Sequence, residues 1–110
     1  MNKNSKNYFW NWLIIFVDEM RLSGGIENVI EHDFGCTEYN AIFAGVVEYI
    51  SNEIKKIPPD WVFDNKFVLK QSYFFGDFVS DEMRKLIIAE TPQEFKRRNV
   101  FLGANTFDRF

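Results

Sequence analysis

The chain has 110 residues, 26% of them charged and 46% hydrophobic, which is the composition of a globular domain and excludes a disordered tail or a low-complexity array. The net charge of -3 excludes a general electrostatic pull toward nucleic acid or an acidic membrane. The unusual feature is the rings: 13 Phe, 4 Tyr and 3 Trp, or 18% aromatic, enough to fill a small core and leave some for a partner.

Along the first half, Tyr8, Phe9, Trp12, Leu13, Phe16, Val17 and Met20 recur at helical spacing and predict a first helix from Lys6 to Leu22. Trp10, Ile14 and Ile15 widen its apolar arc, so this helix is either deeply buried or offers a second face to another chain, a homodimer included. Ser23-Gly24-Gly25 ends it. Ile26, Val29, Ile30 and Phe34 suggest a short second helix closed at Gly35. Thr37 and Glu38 open a third, in which Tyr39, Ile42, Phe43, Val46, Ile50, Ile54 and Ile57 keep the spacing until Pro58-Pro59 breaks it.

From Asp60 to Val79 the pattern dissolves into rings and turn residues, and a long loop is expected, with at most a short helical or extended piece near Lys66 to Lys70, either functional or pinned to the core by its aromatics. Ser80-Asp81-Glu82 then caps a helix carried by Met83, Leu86 and Ile87. Thr91-Pro92-Gln93-Glu94 reads as a capping box opening a further helix through Arg98, closed at Asn99. Val100 to Leu102, a Gly103-Ala104-Asn105 turn and a last packed turn over Thr106 to Phe110 complete the chain. The expected fold is all-α: a small single-domain bundle of five or six helices over residues 1–110, with a long aromatic-rich loop.

Charge is divided unevenly. Residues 1–54 hold three bases and eight acids, residues 55–110 ten bases and eight acids, and Lys96, Arg97 and Arg98 are the densest basic point. That triplet either faces an anionic partner or complements the negative end of a helix dipole. The apolar run from Trp12 to Val17 is six residues long before Asp18 and Glu19, with no cleavage site after it and far short of the roughly 20 residues that cross a bilayer. With one cysteine, Cys36, and therefore no internal disulfide, a cytoplasmic protein without membrane contact is expected.

Chemistry-bearing constellations are sparse. His32 and Cys36 lie one helical turn apart beside Glu31 and Asp33, but each is the only residue of its type, so neither a closed zinc site nor the additional histidines of an His32-Asp33 phosphohydrolase centre can be assembled. Gly24-Gly25 lacks the lysine and hydroxyl of a phosphate loop, and no nucleophile elbow or dinucleotide turn is present. The expectation is a non-enzymatic protein with no cofactor and no metal.

Three stretches carry a resemblance: Tyr39 to Ile50, Pro58-Pro59-Asp60-Trp61-Val62, and Leu86 to Leu102. Together they resemble a small bacterial family whose members have such a central helix, a Pro-x-Trp segment and a terminal Ser/Thr-Pro-x-x-Phe-x-x-Arg-x-x-Phe signature, here Thr91, Pro92, Phe95, Arg98 and Phe101. Asn99, where glycine is common, and the ring-rich Tyr73-Phe74-Phe75 depart from that pattern. The resemblance covers residues 37–110 and implies an antitoxin-like protein that neutralises a nucleotidyltransferase-type toxin encoded beside it. Trp, Tyr and Arg dominate interface hot spots, so Trp61, Tyr73, Phe74, Lys96, Arg97 and Arg98 are the candidate partner-binding residues. Two other readings compete. In one, Glu27, Glu31, Asp33, Glu38 and Glu48 form an acidic face with which a phage or mobile-element inhibitor mimics nucleic acid to block a host nuclease. In the other, the basic end binds nucleic acid directly.

Overall fold

Helix α2, Thr37–Glu53, is the centre of the molecule, buried almost without interruption from Tyr39 to Ser51. Such all-round burial follows from its sequence: Ala41, Ala44 and Gly45 let neighbours approach closely while Ile42, Phe43, Val46, Val47 and Ile50 fill the space between them. A computed structural model of the chain describes residues 3–76 and 80–108, with side chains from residue 6 onward. Around α2 pack α1 (Lys3–Ser23), α4 (Gln93–Lys96), three 3₁₀ turns (Ile26–Asn28, Asp60–Phe63, Asn65–Phe67) and a pair of two-residue strands, β1 (Tyr73–Phe74) and β2 (Val100–Phe101). Helix α3 (Asp81–Glu90) lies outermost and buries only Ile87. One apolar core draws on residues from Phe9 to Phe107.

The fold is mostly helical, as expected, but with four α-helices among the described residues instead of five or six, and with a parallel strand pair that periodicity did not announce. Tyr73 sits opposite Val100 and Phe74 opposite Phe101. The connection between them is a crossover through α3 and α4, which a parallel pair requires. The pairing is tied upstream by the Leu69 amide donating to Arg98 O (3.0 Å) and the Asn99 side-chain amide donating to Leu69 O (2.6 Å).

The expected second helix shrinks to the turn Ile26–Asn28. Beyond it the backbone is held by one long-range and one local bond: the Trp61 indole N–H donates to Val29 O (2.9 Å), and the Phe34 amide donates to Asn40 Oδ1 (2.8 Å). The third helix ends at Glu53, short of Ile57, which is 84% exposed. Lys55, at φ 60°, forms a Schellman turn in which Lys56 N–H donates to Ser51 O (2.8 Å) and Lys55 N–H to Asn52 O (3.3 Å).

The segment after the prolines is anchored as expected, by Val62, Phe67, Leu69 and Phe75, although it contains two 3₁₀ turns and a strand; residues 77–79 of the expected loop lie outside the described residues. Ser80 caps α3 by accepting from Met83 N–H (3.1 Å). The expected capping box at Thr91 does not form: its hydroxyl donates to Ile87 O (2.6 Å) and accepts from Leu102 N–H (3.2 Å), closing α3 and clasping the strand segment. Helix α4 is therefore one turn, stopped by Asn99 at φ 61°. In the last expected turn Phe107 packs on Phe95, Trp10 and Tyr49, while Arg109 and Phe110 lie outside the described residues.

Candidate interaction surface

The candidate partner-binding residues do not converge on one face. Arg98 is 3% exposed: its guanidinium donates to Glu48 Oε1 (2.6 Å), Val62 O (2.7 Å) and Glu94 O (2.6 Å). Desolvation pulls it down from the ordinary arginine value, yet a guanidinium so placed remains a cation and a structural member of the core. Arg98 is thus corrected from a surface anchor to an internal one, because two acceptors from distant segments, Glu48 and Val62, meet the Glu94 carbonyl of α4 where that helix ends. Arg97 is about half exposed and pairs with the other oxygen of Glu48, while Lys96 is half-buried. With Arg98 buried and Glu48 shared between Arg97 and Arg98, the triplet is not a uniform exposed cluster, which weakens the direct nucleic-acid reading.

Trp61 is half-buried, stacked on Phe43 (5.7 Å between centroids) and set against Phe67 (5.8 Å), with its indole N–H satisfied by Val29. Its ring locks the extended Val29 segment to the core. Phe74 stacks on Phe101 (5.2 Å) across the strand pair, with Arg84 over its other side (5.4 Å). Tyr73 lines an open polar groove of about 580 Å³ between the start of α2 and residues 65–73, where burial pushes its hydroxyl up to about 12. A second hollow of about 290 Å³ adjoins it, sharing Thr37 and Lys66.

The acids form no continuous face. Glu48 is buried and paired, Glu31 accepts from Lys66 (2.6 Å), Glu27 lies 3.6 Å from Lys56, and Glu38 accepts from the Cys36 thiol (3.3 Å). The Gly35 amide and then the Asn40 side chain hold Asp33 below the usual carboxylate range. Three of these five acids, Glu27, Glu31 and Glu48, are paired with cations, which weakens the reading of the five as an unneutralised array that mimics nucleic acid. Likewise His32 stacks on Trp12 (5.5 Å) while Cys36 faces Glu38, its thiol pushed up by burial, and among the described residues no three His, Cys, Asp or Glu side chains converge on a metal-sized site.

The apolar spacing of α1 left open whether the helix is deeply buried or presents a second apolar face. Phe9, Leu13, Phe16 and Val17 are buried and Trp12 is half-buried, whereas Tyr8, which shares their helical spacing, is 71% exposed. Ile15 (60%) and Leu22 (89%) are exposed with it. Tyr8, Ile15 and Leu22 recur every seven residues, so they form one stripe along the helix. That spacing was the available signal, hidden because α1 is apolar on nearly every side. Helix α3 adds Met83, Leu86 and Ile88 to the exposed apolar side chains. No described helix is long and apolar enough to cross a membrane. No family model, no curated protein and no solved structure matches the chain.

Proposed function

We propose that this chain is a non-catalytic protein-binding module of the cytoplasm, acting as an antitoxin-like neutraliser of a nucleotidyltransferase-type toxin encoded beside it. The observation that supports the protein-binding reading is the exposure of three large apolar side chains, Tyr8, Ile15 and Leu22, at seven-residue intervals along α1. The toxin as partner follows from the resemblance carried by Thr91, Pro92, Phe95, Arg98 and Phe101. Of the residues first considered for the interface, Lys96, Arg97, Tyr73 and Phe74 retain surface to offer, whereas Arg98 serves the interior and Trp61, half-buried, binds Val29. Co-expression with the flanking genes, read by tagged pull-down and growth rescue, tests this function. A stoichiometric complex that relieves toxicity supports it, and the absence of both a toxic neighbour and a complex overturns it.

A further inference from the structure

Helix α3 stands apart from the rest of the fold. Of its ten residues only Ile87 is buried, and neither the apolar core nor the half-buried side chains packed against it include any residue of α3. Ile87 lies outside that core, against the turn at Gly103, where an added Cβ would meet Ile87 Cδ1 at 4.0 Å. The ties of the α3 polar side chains to the body are at the surface: Glu90 Oε1 accepts from Ala104 N–H at 3.3 Å, and the exposed Arg84 lies over the Phe74 ring (5.4 Å). At the C-terminal end the buried Thr91 hydroxyl suits two arrangements of the helix. It donates to Ile87 O (2.6 Å), and Leu102 O stands 3.1 Å from the same oxygen, so the hydroxyl keeps an acceptor when α3 moves away. A helix of ten residues is too short to persist alone in water, so docking and helix formation are one event.

We propose that α3 opens as a separate unit: Asp81–Glu90 undocks and unwinds together about Thr91, while α1, α2, α4 and the strand pair keep the native fold. The free energy of such an opening follows the buried contacts given up. For α3 these are one aliphatic side chain and surface ties, whereas α2 is buried almost without interruption from Tyr39 to Ser51. Undocking also lifts Arg84 from Phe74, so the accessible face of that ring varies with the position of α3.

Native-state hydrogen exchange of the full chain in low denaturant, resolved by residue with NMR, tests this. The α3 amides are expected to share one opening, exchanging about a hundredfold or more faster than the slowest amides of α2 and with little dependence on denaturant, because little surface is exposed. Ile50→Val, in the core, is expected to speed the slowest α2 amides about threefold or more and to leave those of α3 unchanged. Ile87→Ala is expected to speed α3 exchange about tenfold or more in a chain whose α2 resonances stay native. Exchange of α3 at the rate and denaturant slope of α2, or acceleration of both helices by Ile50→Val, overturns the proposal. So does protection that falls steadily from the middle of α3 to its ends, which is fraying, or the loss of native α2 resonances in Ile87→Ala.

Discussion

Glu48 on α2 and Arg98 after α4 are 50 residues apart in sequence and 2.6 Å apart in the fold, both almost wholly buried. A buried ion pair is tolerated when further hydrogen bonds support it, and here Arg97 takes the second Glu48 oxygen while the Val62 and Glu94 carbonyls accept two more N–H bonds from Arg98. The pair thus joins α2, the Asp60–Phe63 turn and the end of α4 at one point.

Removing Arg98 takes one partner from the Glu48 carboxylate and one each from the Val62 and Glu94 carbonyls. Arg98→Ala is expected to cost about 3 to 5 kcal/mol and to lower the thermal midpoint by more than about 10 °C. Arg97→Ala, which vacates a half-exposed position and leaves Glu48 its inner partner, costs about 1 kcal/mol or less. Calorimetric unfolding of both variants checks the contrast, and equal losses would refute this division of roles.

Gly45 is required by contact with a neighbouring ring. A Cβ there would stand 2.7 Å from Phe95 Cδ1 and 2.9 Å from Cε1, and the Phe95 ring is fully buried. Gly45→Ala gains helix propensity but overpacks this contact, with a net loss of about 1 to 2 kcal/mol. Combining it with Phe95→Leu should recover part of that loss in a double-mutant cycle, so simple additivity would argue against the clash.

Lys55 and Asn99 are non-glycine residues in left-handed backbone, at φ 60° and 61°. Lys55→Gly relieves the steric cost while keeping the turn's backbone bonds, and is expected to stabilise the protein by about 1 kcal/mol in chemical denaturation. Asn99→Ala retains the strain and forfeits the bond to Leu69 O, for a loss of about 1 to 2 kcal/mol.

Tyr73 titrates near 12 in the fold because burial disfavours its phenolate, against about 10 in the unfolded chain. Its contribution to stability is complete below pH 10 and disappears as the pH rises from about 10 to about 12, since the folded state holds the proton that the unfolded state releases. Stability measured over that range should therefore fall, and Tyr73→Phe should flatten the decline. Burial raises Tyr39 and Tyr49 as well, so ultraviolet titration checks Tyr73 by comparison: the ionisation near 12 should disappear in Tyr73→Phe.

The features that the sequence by itself determined depend on near neighbours. Apolar spacing located α1 and α2, Gly24 marked the end of α1 with its φ of 69°, and Ser80 and its following acids marked the start of α3. The ring-anchored segment after Pro59 was also legible, because aromatic residues in a polar loop have little to do except return to the core. Only the tertiary structure decided the remainder. A Thr-Pro-x-Glu stretch carries the same local signal whether its hydroxyl caps the next helix or bridges Ile87 and Leu102, and strands of two residues have no periodicity to read. The basic triplet likewise looks uniform in sequence, yet Arg98 turns inward because Glu48, 50 residues away, is there to receive it. For α1, apolar on nearly every side, the outward stripe of Tyr8, Ile15 and Leu22 was set by where α2 lies: a helix buries the side that meets its neighbour, and that neighbour is distant in sequence.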